Sequence, residues 1–562
     1  MSEVKFSIVA SILVQLSAAV LCRGEISVLS FGAVGDGVTD DSPSINLAIT
    51  SLRESPGQTL RFPGGRVYAI KSPIVFPGTV AGLEIAGDGD TTVFQRMADL
   101  PDGQGMFDIQ GANGLSFVNF VVDGSKYDPD CVQYGTFTYP TDPILVKNTS
   151  FWIHGGSKSL RFDGITVRHT GGYAALAYTQ AEGNIEDVSF VNCLFENNRP
   201  HSFWSDPNDK LGPSWTGGIL YRNRATQPGD SAVVNLSVRN CRFQRNNGNG
   251  VWGHSDGFSV QHRNVAVTDN HFEDMALDGV ELGNTTGGIV ANNFFHRIGY
   301  ITANDDDAPA PKHWGVAIDS TGWVKSVSYT GNTILNANGG CIDLDGFFQG
   351  AVTKNLCLIS EPGEPLFTSD RVADFGDGRG NITYGINPGN TFYRDGGLNV
   401  TISGNTIRNM GAWAIGGANL KDGTIRDNVI VHPSTALYAP IFLMCRPGFD
   451  EGDYHSGDDD PAGSSYRAWG NLVTNNRVEY SGPHFVVEEI DYSDGQGTHS
   501  FHASDINRVC SNQISGANGG EFLWSANSGS YSAATSGCVT NLKLDRAIVI
   551  REVPRHIIHV QE

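Results

Sequence analysis

Four short segments carry residue types that do chemistry: NGVWGHSDG at 249–257, LDGVELGN at 277–284, WGVAIDSTG at 314–322 and GCIDLDGF at 340–347. Each alternates apolar and polar residues as a strand does, so successive side chains face opposite sides. With Val280 and Leu282 turned inward, Glu281 points outward. Ile318 inward sets Asp319 outward, and Ile342 with Leu344 inward sets Asp343 and Asp345 outward. Strands stacked in register make these residues an exposed acidic ladder. A second register places Ala317 opposite Glu281 and moves Asp319 one step along, and the sequence leaves both open.

Such a ladder suits glycosidic-bond cleavage. That reaction needs one protonated carboxyl for the leaving oxygen and a second carboxylate as base or nucleophile. Stacked like charges raise at least one pKa and so keep a proton available. The plainer alternative is a solvated sheet face in a chain with 60 acidic residues. The same segments hold His254, an acid–base or hydroxyl-orienting candidate. Trp252, Asp256, His313 and Trp314 are candidate substrate contacts, the indoles for stacking on sugar rings. Tyr221 and Arg222, in GGILYRNRA, belong to a coil just upstream. The arginine there would hold a substrate carboxylate or neutralise the ladder.

No cofactor is expected. Asp305, Asp306 and Asp307, and likewise Asp458, Asp459 and Asp460, offer oxygen ligands for calcium but lack the spaced pattern of a dedicated loop. HExxH, paired CxxC, G-x-S-x-G and dinucleotide-binding fingerprints are all missing from the sequence.

The elements that must position these residues announce themselves as a repeat. A phrase of a polar or small residue, Asn or Cys, any residue and a bulky apolar residue recurs at Cys193, Cys241, Asn270, Asn293 and Asn332, then at Asn355, Asn405, Asn428, Asn476 and Asn512. Three of the intervals are 23 residues (270 to 293, 332 to 355, 405 to 428). A period in the low twenties with short β-rich runs and Asn/Gly turns predicts a solenoid of stacked coils. The Asn is expected at a corner, tolerating left-handed backbone angles and bonding its amide to the next coil, with the apolar residue two positions on pointing inward. Polar insertions at 199–216, 301–313, 361–397 and 446–467 would build walls around the central coils.

FGAVGDGVTDDSPSINLAI, followed by LRFPGGRVYAIKSPIVFPG and LEIAGDGDTTVF, resembles the start of the pectate-lyase-like right-handed parallel β-helix proteins, in particular the rhamnogalacturonase/epimerase-like subgroup. The resemblance implies an all-β, single-stranded right-handed parallel β-helix with an N-terminal capping helix and long loop insertions. It covers the first hundred residues closely and the remainder by repeat pattern. The implied layout is a cap and first coils over 23–150, further coils over 151–545 and a closing segment at 546–562. Within the first stretch, 26–31 is expected to be a strand, 32–37 a turn, and Asp40 or Asp41 the cap of a helix buried through Ile45, Ala48, Ile49 and Leu52. Members of this group include hydrolases, lyases, epimerases and non-enzymatic fibres. None of the polygalacturonase motifs is present in the four chemistry-bearing segments, and GHSDG at 253–257 is only a partial echo of one of them, so no catalytic residue carries over by motif.

Bulk properties fit. Glycine makes up 69 of 562 residues, about 12% against a usual ~7%, as in turn-rich β chains. A net charge of −22 argues against nucleic acid or an anionic membrane surface as partner. Residues 1–22 read as a secretory signal peptide, with Lys5 ahead of an apolar run. Sequons at Asn148, Asn235, Asn284, Asn381 and Asn399 are candidate glycosylation sites of a secreted, extracellular protein. Cys193 and Cys241 either form a disulfide or pack as small buried residues, and Cys341–Cys357 and Cys510–Cys538 are candidate pairs. The first expectation is a glycoside hydrolase on a polysaccharide. Second comes a uronan lyase or epimerase, and third a non-catalytic carbohydrate-binding β-helix.

Overall fold

The structure, a computed structural model, describes residues 24–124, 146–198, 217–224, 226–257, 259–301, 310–311, 315–359, 383–388, 397–418, 420–434, 436, 438–445, 470–482, 487–491, 507–516 and 522–526. Among them the chain winds as a right-handed parallel β-helix. One 14-stranded sheet runs from Ile74–Pro77 to Phe522–Ala526 with one strand per coil, and the remaining walls form a second, continuous sheet. Apart from a two-residue antiparallel patch at Tyr300–Ile301 and Ala310–Pro311, the strand pairs are parallel. The signal peptide, the two Asp triplets, His313, Trp314, Asn381, Cys538 and the closing segment lie outside the described residues.

Alternation drives each coil. Thr401–Ser403 pairs with Thr424–Arg426 so that Ile402 meets Ile425 in the interior while the flanking residues face outward. Each fully buried aliphatic side chain contributes roughly 1.5–3 kcal/mol. The interior also stacks aromatic rings coil upon coil: Phe195, Phe243, Phe272 and Phe295 follow one another at 4.7–4.8 Å. These phenylalanines occupy the apolar position of the repeated phrase.

The repeated Asn forms a continuous internal ladder. Asn270 Nδ2 donates to Asn293 Oδ1 at 3.0 Å, Asn293 to Asn332, Asn332 to Asn355, and so on through Asn405, Asn428, Asn476 and Asn512. Each Oδ1 also accepts the backbone N–H of the preceding rung, and each Nδ2 donates to a backbone carbonyl, as Asn332 does to Val290. The left-handed residue, however, is the one before the rung: Asp269, Asn292, Lys354, Asp427, Asn475 and Ser511 have φ of 55–60°. The Asn itself is therefore chosen for its amide, and its neighbour turns the corner.

At the N-terminal coils the same rung is cysteine. Cys193 N–H faces Cys241 Sγ at 3.4 Å, and Cys241 N–H donates to Asn270 Oδ1 at 2.8 Å. Both are free thiols, as are Cys341, Cys357 and Cys510. A disulfide thus joins neither Cys193 to Cys241 nor Cys341 to Cys357, and the small-buried-residue alternative holds for the first two.

The cap differs from expectation in detail. Only Glu25–Ser27 is a strand, Val28–Phe31 is a 3-10 turn, and Asp36–Asp40 is a further strand that the sequence reading took for turn and cap. The helix Ser42–Leu52 buries Ile45, Ala48, Ile49 and Leu52 as expected. Asp40 accepts the Ser42 N–H at 3.0 Å. Asp41 instead turns its carboxylate onto the N–H groups of Val34, Gly35 and Ala69, tying the glycine turn to the next coil. Two sequons are also corrected: Asn148 and Asn284 are buried, with Asn148 accepting from Arg96 and Asn284 donating to Gly257 and Val260, which leaves no room for a glycan on the folded chain. Asn235 and Asn399 are exposed.

Candidate functional site

The 14-stranded sheet presents one outward column that changes character along the axis. Register places Trp152, Leu176, Leu220 and Trp252 successively opposite one another, then Glu281, Asp319, Asp343 and Asn387. The first of the two registers is the observed one: Glu281 faces Asp319, and Ile318 faces Ile342, which aligns Asp319 with Asp343. The ladder is not exposed, however. Glu281 is 9% exposed, and Asp319, Asp343 and Asp345 are half-buried.

A further acid completes the group. Asp278, in the turn before Val280–Gly283, brings a carboxylate oxygen to the ladder, and oxygens of Asp278, Glu281 and Asp319 all lie within 4.8 Å of one another. That spacing fits acids that share a proton, or three oxygen ligands of one hard cation. Asp278 was missed because only strand positions were considered. Its signal was the parallel between Asn249-Gly-Val and Asp278-Gly-Val in successive coils.

The acids have different surroundings. Burial raises Glu281, but the side chains of Thr321, Trp252 and Asn249 oppose the shift; Thr321 and Asn249 each donate at 2.7 Å. Burial first, then the charges of Asp278, Asp343, Glu281 and Asp345, hold Asp319 well above the ordinary carboxylate range. Burial, Glu281 and Asp343 push Asp278 up likewise, although Asp278 accepts the Val316 N–H at 2.7 Å. Asp343 is raised by burial to about 6, moderated by Tyr384, Asn387 and the Leu344 N–H. Asp345 is raised well above its usual range by burial and by Asp343. Tyr384–Asn387 is a strand of this sheet inside the 361–397 stretch that the sequence reads as a polar insertion, a correction to that reading, so nothing in the sequence tied Tyr384 and Asn387 to the ladder.

Several candidate contacts turn out otherwise. Tyr221 is fully buried, pointing into the cylinder with its hydroxyl 3.3 Å from Thr285, so it does not reach substrate. Arg222 is 3% exposed and is held by Asp256, its Nε at 3.0 Å, so these two satisfy each other rather than a ligand. Trp252 is buried against Tyr173 and His254 and offers no open ring face; it lines Glu281 instead. His254 stands in register with Arg222, one column beside the acids, and burial, Arg222 and His262 push it down to about 3. An imidazole so weakly basic carries no proton at neutral pH and is a poor general base. Beyond Asp343 lies an aromatic stack of Tyr384, Trp413 and Phe442, centroids 5.8–5.9 Å apart, with the half-exposed Tyr438 against it.

Coils, ladder and acid-lined sheet define a right-handed parallel β-helix protein. Residues 149–363 match the family described as right handed beta helix region, and residues 25–210 match that described as rhamnogalacturonase A/epimerase, pectate lyase-like. Over these stretches the chain is similar to pectate-lyase-like and right-handed β-helix proteins. No curated protein matches it in sequence. Among solved structures, it is similar in fold to PfbA, a surface adhesin of Streptococcus pneumoniae, at TM-score 0.55 and 14% identity, covering 75% of this chain and 93% of that one. Weaker likenesses are to a GH136 lacto-N-biosidase from Eubacterium ramulus (TM-score 0.46, 14% identity, 81% and 67% covered) and to the A-module of the Azotobacter vinelandii mannuronan C-5 epimerase AlgE4 (TM-score 0.30, 14% identity, 90% and 100% covered).

Proposed function

We propose that the protein is a secreted glycoside hydrolase acting on an extended glycan laid along the 14-stranded sheet. The observation that carries this reading is the unequal treatment of two facing acids. Three side chains favour the charged form of Glu281, while Asp319 is loaded by four other carboxyls and keeps its proton. Environments that push neighbouring carboxyls apart in pKa assign acid and base roles.

In this scheme Asp319 protonates the glycosidic oxygen as the bond to the anomeric carbon breaks. Glu281 attacks that carbon and forms a glycosyl ester. Asp319, now ionised, takes a proton from water, and the water oxygen displaces Glu281, regenerating both groups. Retaining enzymes hold their two carboxyls ~5–5.5 Å apart, and the closeness of the Asp278, Glu281 and Asp319 oxygens, within 4.8 Å of one another, favours this scheme. Asp343 and Asp278 maintain the high pKa of Asp319.

The test is to incubate the purified protein with a panel of polysaccharides, reading reducing ends, absorbance near 235 nm and the anomer of the first product by proton NMR. New reducing ends of retained configuration support the reading; the unsaturated product at 235 nm refutes it. The three clustered oxygens also favour a second reading, in which a divalent cation on Asp278, Glu281 and Asp319 bridges to a uronate for lyase or epimerase chemistry. Activity lost to a chelator distinguishes it.

A further inference from the structure

The sheet that carries the acids has almost no positive charge of its own. Its fourteen strands contain one arginine, Arg222, and no lysine. They contain seven carboxyl residues: one in Phe107–Gln110, one each in Val280–Gly283, Val316–Thr321 and Gly340–Asp343, and three in Val487–Asp491. Arg222 is buried and paired with Asp256. Of the two histidines on the sheet, His154 is bonded to Asp108 at 2.7 Å and His254 is held neutral. Asp278 and Asp345, just outside the strands, bring two more carboxyls to a group whose burial and mutual crowding already disfavour added negative charge.

A glycan lying along the axis advances about one coil, ~4.8 Å, per strand spacing, so several of its sugars face this column together. A uronate there sets a carboxylate against clustered acids, with no cation among the described residues of the sheet free to receive it. Like charges so placed are repelled strongly where water is displaced. Hydroxyl groups meet no such cost, because every acid in the column accepts hydrogen bonds. Of the aromatic group beyond Asp343, Tyr384, Trp413 and Phe442 are buried and the partly exposed Tyr438 is the ring that can meet the C–H edges of an uncharged sugar.

We propose that the glycan read by this sheet is uncharged, built of neutral hexoses or N-acetylhexosamines rather than uronates. The inference rests on taking the acid-lined sheet as the glycan-cleaving surface. It selects among substrates, whereas the hydrolase assignment concerns the reaction.

The test uses matched oligosaccharide pairs of identical linkage, one bearing uronic acids and the other with those carboxyls reduced to hydroxymethyl groups. Oligogalacturonate, oligomannuronate and oligoglucuronate are each paired with their reduced forms. Binding is measured by calorimetry on Asp319→Asn, in which turnover is slowed, and cleavage on the unaltered protein, each with calcium and with EDTA. The expected result is at least a 10-fold tighter Kd for the reduced member of a bound pair, unchanged by EDTA. Equal or tighter binding of the uronate member, with or without calcium, overturns the proposal, as does failure to bind any reduced member. A reduced member bound tightly but left uncleaved by the unaltered protein sinks the hydrolase assignment while the charge preference stands.

Discussion

Glu281 and Asp319 stand directly opposite each other on adjacent parallel strands, where the outward column passes from aromatic and apolar residues to acids. Burial raises both, but hydrogen-bond donors restrain the shift at Glu281 while neighbouring carboxyls add to it at Asp319.

Substituting the two should therefore give different kinetic signatures. Asp319→Asn removes the proton donor and is expected to lower kcat on natural glycans by roughly 10²–10⁴-fold. Aryl glycosides whose leaving groups need no protonation should be affected far less in their first step. Glu281→Gln should abolish both reactions. Steady-state kinetics on the two substrate types checks this, and equal losses in Asp319→Asn would remove the acid role.

Asp343 predicts a pH dependence of stability. Its folded pKa of about 6 lies above the ordinary 3.8, so the stability associated with its neutral form is complete below about pH 4. That stability is lost as pH rises through about 6, because only the unfolded chain ionises freely. Two pH units correspond to at most about 3 kcal/mol. Asp343→Asn should accordingly unfold at higher denaturant concentration than the unaltered protein at pH 8, with the advantage vanishing at pH 4. A constant difference across that range would contradict the assignment.

The amide ladder is expected to be costly to break. Asn332→Ala strips partners from the Asn293 N–H, the Val290 carbonyl and the Asn355 amide together. Leaving buried polar groups unmatched costs about 1–3 kcal/mol each, so a loss of about 3 kcal/mol is expected in chemical denaturation. Cys241→Asn places an amide where the ladder already has a rung and should leave stability unchanged or raised.

The buried thiols make a simple prediction. Cys193, Cys241, Cys341 and Cys357 are free, and burial together with a neighbouring thiol raises Cys193 and Cys357 well above the usual range. None of the four should react with a thiol reagent in the folded protein at pH 8. All four should react in denaturant without prior reduction; a reduction requirement would mean that disulfides are present after all.

How far these features were legible in the sequence depends on how local their cause is. The amide rung, the inward residue two places on and the buried stripe of the capping helix each follow from a few adjacent residues and stand as expected, although the left-handed corner falls one residue before the Asn. The Glu281–Asp319 register was one of two open choices, because strand pairing is fixed by neighbouring coils and not within the strand. Tyr221 shows that the inward parity of one strand decides a residue's fate: a tyrosine read as a surface contact is core. Outward orientation was equated with exposure, but this face is partly covered, so acids expected in water have raised pKa values instead. Asp278, Tyr384 and Asn387 escaped because their contact with the ladder is made in space, across a turn or from a strand inside a stretch read as a polar insertion.

The ladder also acts as a ruler. Successive rungs are separated by 23, 39, 23, 50, 23, 48 and 36 residues, yet their amide bonds stay at 2.9–3.0 Å. The height at which the next coil sits is thus independent of the length of chain between rungs. Segments between rungs can therefore be lengthened, exchanged or remodelled by mutation while the pitch of the coils is preserved, which makes what the sheet meets far easier to alter than the scaffold.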